Sequence, residues 1–261
     1  MNRFRDNVVL VTGGNRNTGL DIVEKFVREG ARVFMCGSSE ASTAKGAEAL
    51  RARGLDGVVS QPCDISDAAQ VAALFDTVER DAGRLDILVN NAANQGIGHG
   101  GPLEMKPEMF YDVFKTNVVG GFQVTQMACN RFFMKQDSRG VVVFLSSNTA
   151  MRAIRNRTAY CTSKGAINSM VRSLALDLAP LGIRVNCCAP GYIYTERWDA
   201  LDPKKAARRR LNCPLRKEAK GSDIANVVAF LASDDSANMT GEIVTCDAGC
   251  SCQHMPEDVD V

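Results

Sequence analysis

Seven short apolar runs rich in β-branched residues, separated by longer stretches of helical periodicity, constrain this chain more than any other feature. The runs are Val8–Thr12, Arg32–Cys36, Val58–Gln61, Ile87–Asn90, Val141–Ser146, Arg184–Ala189 and Glu242–Thr245. Most are apolar on both faces rather than alternating, which implies cover on both faces of a sheet. Between them lie amphipathic stretches. Leu20, Val23, Phe26 and Val27 share one face up to Gly30, and Val71, Leu74, Phe75 and Val78 another up to Gly83. A long segment from Thr158 to Pro180 carries Ile167, Met170, Val171, Leu174 and Leu178 on one side. Repeated βα units of this kind give an α/β fold: a single Rossmann-like, doubly wound parallel sheet of about seven strands with helices on both faces.

No linker-like break divides the 261 residues, so we expect one domain over 1–249 and a tail over 250–261. A net charge of +1 gives no electrostatic reason for a nucleic-acid partner. No apolar run approaches the roughly 18 residues that span a membrane. The first strand follows the amino terminus too closely for a signal peptide, so the expected compartment is the cytoplasm. Ten cysteines then read as reduced core and tail residues. Cys246, Cys250, Cys252 and His254 could be weighed as zinc ligands, but they lack paired Cys-x-x-Cys spacing, and no metal is expected.

Three spacings carry chemistry. Thr12-Gly13-Gly14-Asn15-Arg16-Asn17-Thr18-Gly19 joins the first strand to the first helix. Glycine there allows a sharp turn and a close approach of pyrophosphate to a helix amino terminus. Tyr160 and Lys164 lie one helical turn apart, so the ammonium faces the phenol and is expected to lower its pKa. Ser147 stands thirteen residues before Tyr160. Only two histidines are present, His99 and His254, with neither a Gly-x-Ser-x-Gly elbow nor His-Glu-x-x-His. Serine and zinc hydrolases of those kinds are therefore unsupported.

On these residues the chain resembles the short-chain dehydrogenase/reductase family from Val8 to about Gly249. The family's Thr-Gly-x-x-x-Gly-x-Gly motif is matched except at its middle glycine, here Asn17, a residue that tolerates left-handed backbone. The resemblance implies a catalytic tetrad of Asn117, Ser147, Tyr160 and Lys164. Tyr160 would be the acid/base, Ser147 would hold the substrate oxygen, and Lys164 would also bond the nicotinamide ribose. Asn117 would seat a water linking Lys164 to solvent. For the cofactor it implies Gly13, Asn15, Arg16, Asn17, Thr18 and Gly19 at the pyrophosphate, and Asp64 and Ile65 at the adenine. Asn91 and Ala92 follow the fourth strand, in Asn90-Asn91-Ala92-Ala93. Pro190, Gly191, Ile193 and Thr195 would flank the nicotinamide.

Cofactor choice is read at the end of the second strand. The family's ribose-binding acid is replaced by Gly37, while Ser38, Ser39 and Arg16 can receive a 2′-phosphate. Glu40 is the competing signal, although at a helix start it complements the dipole. The expectation is NADP(H), with NAD the alternative. A substrate lid should span about 192–216, with Tyr192, Trp198, Tyr194, Leu201 and Leu211 beside the cations Arg197, Lys204, Lys205, Arg208, Arg209 and Arg210. Tyr192 and Trp198 join Ser147 and Tyr160 as expected substrate contacts. An apolar body with an acidic appendage fits, so the first reading is a hydroxysteroid or bile acid. The alternative is a 3-oxoacyl chain on carrier protein or coenzyme A, against which Ser138 and Leu181 stand where such reductases carry basic residues. A non-catalytic NADP-sensing binding protein is the reading from another class. The resemblance also implies a homotetramer or homodimer through helices near Pro107–Gln136 and Thr158–Ala179, with Phe110, Val113, Phe114, Val124 and Met127 compatible with the interface.

Overall fold

In a computed structural model, which describes residues 2–195 and 198–255, all seven runs form strands of one parallel sheet. They are β1 Val8–Thr12, β2 Arg32–Gly37, β3 Val59–Pro62, β4 Ile87–Asn90, β5 Val141–Leu145, β6 Arg184–Pro190 and β7 Ile243–Cys246. Arg197 lies outside the described residues, as do tail residues 256–261.

The strand order is β3-β2-β1-β4-β5-β6-β7. The chain winds outward from β1 to β3, then crosses back to β4 on the other side of β1. Loops leaving the carboxyl ends of β1 and β4 therefore diverge, and a crevice opens between them.

The helices are α1 Asn17–Arg28, α2 Glu40–Ala52, α3 Ala68–Ala82, α4 Pro107–Phe114, α5 Gly121–Ala128, α6 Thr158–Leu178, α7 Pro203–Leu211 and α8 Gly221–Ala232. Because successive strand residues point to opposite faces, the apolar runs feed two cores. Val8, Leu10, Phe34, Leu88, Val142, Phe144 and Val185 meet α3, α5 and α6 through Leu74, Phe75, Val124, Ile167 and Val171. Val9, Val11, Val33, Met35, Ile87, Val89 and Val143 meet α1, α2 and α8 through Ile22, Val23, Phe26, Leu50, Ile224 and Val228.

Helix ends follow local chemistry. Gly83 caps α3 in the left-handed conformation (φ 67°), and Asp67 caps its start by accepting from the Ala69 and Gln70 N–H groups. Between α4 and α5 the helix does not break. It widens into a π turn, Lys115–Gly120, which carries Asn117. Such widened turns re-aim the residues within them. Among the described residues no helix is long and apolar enough to cross a membrane.

Of the five apolar residues expected at a subunit interface, Val113 and Val124 are fully buried within this chain. Periodicity could not separate the inward face of a helix from an outward apolar one. The exposed apolar residues of this surface are instead Tyr111, Val119, Phe122 and Leu176.

Candidate active site

The glycine loop is shaped by contact rather than by flexibility. Gly13 adopts φ 63°, and a Cβ there would sit 2.8 Å from the Ala92 Cα. At Gly19 a Cβ would come within 2.0 Å of the Gly13 carbonyl oxygen. Asn17 takes φ 47°, the left-handed conformation that glycine supplies elsewhere in the family's motif. The substitution at this position thus preserves the turn. The first N–H groups of α1, which have no intrahelical acceptor, open at the carboxyl edge of β1.

Asn91 locks this loop from β4. Its Nδ2 donates to the carbonyls of Thr12 (3.0 Å) and Gly13 (2.8 Å). Thr12, which motif reading passed over, completes the knot: its Oγ1 accepts from the Asn91 and Ala92 N–H groups at 3.1 and 3.2 Å.

At the end of β2, Gly37 is required sterically. A Cβ there would lie 2.6 Å from the Asn15 Cγ and 2.7 Å from the Thr43 Oγ1. Asn15 fills the space beside Gly37, and its own backbone packs 2.5 Å from where a Gly46 Cβ would stand. Beyond Gly37, Ser38 and Arg16 are exposed on facing loops, while Ser39 caps α2 by accepting from the Ser42 N–H. Asp64 follows β3 and accepts from the Ser66 N–H at 2.9 Å, beside buried Ile65. A shaped cradle, free helix N–H groups and polar residues along one edge fit a dinucleotide.

The catalytic candidates come from β5 and α6. Ser147, just past β5, accepts from the Thr149 N–H at 3.2 Å. Tyr160 sits in the first turn of α6 with its phenol within hydrogen-bonding reach of Ser147. One turn on, the buried Lys164 Nζ lies 5.6 Å from the Tyr160 ring centroid and donates to the Leu145 carbonyl at 2.7 Å. Ser146 belongs to strand-end structure, donating to the Lys164 carbonyl at 3.1 Å.

One expectation about this group needs correction. The Tyr160 phenol is not lowered by Lys164. Burial pushes it above its ordinary value, and the Ser147 hydrogen bond opposes that only in part. The same burial holds the Lys164 ammonium down at about 8. Removing both groups from water penalises phenolate and ammonium alike, and burial is the largest influence on each.

The Asn117 side chain makes three hydrogen bonds. It donates to the Asn94 carbonyl (2.9 Å) and the Ser163 hydroxyl (3.0 Å), and accepts from the Asn94 N–H (2.7 Å). Ser163 in turn donates to the Tyr160 carbonyl at 2.8 Å. Asn117 therefore clamps the loop after β4 to the helix bearing Tyr160.

Ser147 and Tyr160 line a cavity of about 420 Å³ together with Gly191, Ile193, Thr195, Tyr192 and Trp198. The expected substrate contacts are thus brought together. The lid base is pinned where Ile193 pairs with Ala219. Leu201 and Leu211 are half-buried and do not line the cavity.

The lid cations act differently from expectation. Arg209 and Arg210 each stack on Trp198 at 5.6 Å, and Arg210 also pairs with Glu218 at 2.8 Å. They brace the aromatic wall. The arginines that do line the cavity are Arg152 and Arg157, which sequence reasoning missed. Their signal was present as three cations within Arg152-Ala153-Ile154-Arg155-Asn156-Arg157, between the serine and the tyrosine. Also missed were Asn148 and Asp247. The Asn148 amide donates to the Asp247 carboxylate at 3.2 Å behind Gly191, where a Cβ would meet Asp247 at 2.5 Å. Among the described residues no three His, Cys, Asp or Glu side chains converge as metal ligands.

A family model described as enoyl-(acyl carrier protein) reductase matches residues 14–251. The chain belongs to the short-chain dehydrogenase/reductase family. It is 32% identical over 252 residues to the 3-oxoacyl-[acyl-carrier-protein] reductase MabA of Mycobacterium avium, covering 96% of this chain and 92% of that one. It is 34% identical over 246 residues to the 3alpha-hydroxysteroid dehydrogenase of Mediterraneibacter gnavus, covering 94% and 96%. The solved structure of levodione reductase superposes with a TM-score of 0.88 at 30% identity, covering 97% of this chain and all of that one. The protein is accordingly an oxidoreductase of a family that uses a nicotinamide cofactor and acts on alcohol and ketone groups.

Proposed function

We propose that this protein interconverts a secondary alcohol and a ketone with NADP(H), using Tyr160 as the acid/base, and that its substrate is a bulky molecule of hydroxysteroid or bile-acid type. The observation that carries the reading is the shared lining: Ser147 and Tyr160 face the same cavity as Tyr192 and Trp198. A reactive oxygen and a large apolar body can therefore be held at once.

The nicotinamide supplies or accepts hydride when bound. Gly13, Asn15, Arg16, Asn17, Thr18 and Gly19 would hold its pyrophosphate, with Asp64, Ile65, Asn91 and Ala92 along the adenosine. Tyr160, Lys164, Pro190, Gly191, Ile193 and Thr195 would surround the other end. Arg16, Ser38 and Ser39 favour a 2′-phosphate, because Gly37 places no carboxylate at the end of β2.

Ser147 donates to the substrate oxygen and aims it at the phenol. Tyr160, raised by burial, holds its proton at neutral pH. Its resting form is the acid needed to protonate a developing alkoxide, so reduction is the direction the chain's own proton inventory favours. Oxidation needs the phenolate and should accelerate as pH rises. Asn117 positions the helix through Ser163.

Similarity to MabA favours a second substrate reading, a 3-oxoacyl thioester. Arg139, the cation nearest in sequence to the expected carrier-docking positions, is turned to the Phe133 and Gln136 carbonyls at 3.4 Å, which weakens that reading. An oligomer through α4, α5 and α6 is also proposed, using exposed Tyr111, Val119, Phe122 and Leu176. The free state of the cysteines suits a cytoplasmic enzyme.

Cofactor absorbance with NADPH and NADH across oxo-steroids, oxo-bile acids and an acetoacetyl thioester tests the assignment. Oxo-steroid reduction with NADPH is expected. A strong NADH preference would overturn the cofactor, thioester-only turnover the substrate. NADPH binding without turnover of any ketone would favour the binding-protein reading.

A further inference from the structure

The substrate cavity carries charge of one sign. Arg152 and Arg157 line it, and among the described residues no Asp or Glu does. Seven other arginines have an acid as partner. Arg3, Arg28, Arg53, Arg80, Arg84, Arg131 and Arg210 each meet a carboxylate within 3.4 Å. Arg184 donates to the carbonyls of Leu231, Ser233 and Met239 and to the Ser236 hydroxyl.

Arg152 is different. Its half-buried guanidinium has one partner, the Cys250 Sγ at 3.7 Å. A thiol sulfur is a weak acceptor. A guanidinium cannot shed its proton to escape partial burial, so it calls for a strong, planar acceptor. Arg157 donates to the Gln95 carbonyl, a neutral partner, which leaves its charge uncompensated. That charge already pulls the Tyr160 phenol downward against burial, so it acts inside the site. The acid behind this wall, Asp247, has its oxygens committed to Asn148 Nδ2 and to the Gly249 and Ser251 N–H groups.

The geometry points to an anion-recognition site in the cleft: Arg152, assisted by Arg157, receives the carboxylate of a hydroxy or keto acid whose carbinol or ketone carbon reaches Ser147 and Tyr160. This rests on the cavity being the substrate cleft of the proposed reaction. A guanidinium can offer two parallel N–H donors to a carboxylate. At about 420 Å³ the cavity leaves room for an apolar body along Ile154 and Trp198. The charge on the lid helix is not the selector. The short segment between the catalytic serine and tyrosine is.

Trp198 is the chain's single tryptophan and lines this cavity, so its fluorescence reports occupancy without turnover. The probes are an oxo-bile acid and a phenyl keto acid, each as free acid and as methyl ester, titrated into the NADP⁺-saturated protein. The free acids are expected to bind about 10–100-fold more tightly than their esters, the range for a charged hydrogen bond. Arg152→Gln should remove most of that ratio while leaving ester binding near wild type, and Arg152→Lys should restore part of it. Equal binding of acid and ester to wild type, or an acid preference that survives Arg152→Gln, overturns the site. The wild-type ratio needs no variant, so a misfolded substitution cannot mask the result. The ketone assay separates the two readings. Acid-selective binding without reduction would sink the reaction but leave the anion site. Equal reduction of acids and esters would do the reverse.

Discussion

The two ends of the cleft are built on different physical terms. At the nucleotide end, backbone packs on backbone: a methyl group at Gly13, Gly19 or Gly46 would penetrate main chain. Asn91 and Thr12 then fasten the loop with hydrogen bonds to main chain. At the substrate end the lining is side chains on loops, with Tyr192 and Trp198 edge-to-face at 6.1 Å and Arg209 stacked across both. Excluded volume tolerates almost no substitution, whereas stacked side chains can be exchanged at moderate cost. One end therefore keeps a fixed ligand and the other can change its ligand without refolding.

The junction between the ends gives the strongest test. Tyr160→Phe should lower kcat by about 10²–10⁴, the range for losing a general acid, while NADPH affinity stays within about twofold. Steady-state rates alongside nucleotide titration measure both. Surviving turnover would remove the acid/base role from that phenol.

Lys164 separates stability from activity. Its pKa falls from 10.5 unfolded to about 8 folded, so below pH 8 the folded state bears the full cost of a buried ammonium. Between about pH 8 and 10.5 the unfolded chain binds the extra proton, and stability rises with pH. The difference corresponds to about 3 kcal/mol. Lys164→Met should lose activity, gain stability at pH 7, and lack that rise. Denaturant midpoints at pH 7 and 9, below the range where tyrosines titrate, compare the two proteins. A parallel pH dependence would show that the amine is better solvated than its burial implies.

Gly19→Ala sharpens the contrast at the nucleotide end. The clash with the Gly13 carbonyl should cost about 1–3 kcal/mol and weaken nucleotide binding severely. Thermal melting with and without NADPH reads both effects. A stable, tight-binding alanine variant would mean the loop is compliant after all.

Trp198→Ala is the milder counterpart. Losing one aromatic wall of the cavity should raise KM for a bulky ketone by about 10–30-fold, as expected for about 1.5–2 kcal/mol of lost apolar contact. Nucleotide affinity and melting temperature should hardly move. A large loss of stability instead would make the lid part of the core and erase the distinction between the two ends.

The strands were legible because a buried parallel strand must be apolar on both faces, and no other element of that length reads the same way. Asn17 was legible for a local reason too: a single residue's tolerance of φ 47° does not depend on distant contacts. The glycine loop, Ser147, Tyr160 and Lys164 could be picked out because chain spacing alone sets their relation to a strand end or a helical turn. Val113 and Val124 were not assignable, since inward and outward apolar faces look alike along a helix.

Sequence by itself determined the alternation of elements, the sheet's strand direction and the candidates for the reacting groups, all properties of neighbours along the chain. Tertiary structure alone decided what burial does to those groups, raising Tyr160 and lowering Lys164 against the expected attraction. It also bonded Asn117 to the loop after β4 and to Ser163, set Arg209 and Arg210 against Trp198, and left Arg152 facing the cavity with no acid beside it among the described residues. Charge and hydrogen bonding act through space and fall off steeply with distance and solvent, so the partner a side chain meets is fixed only when the sheet brings distant segments to one edge.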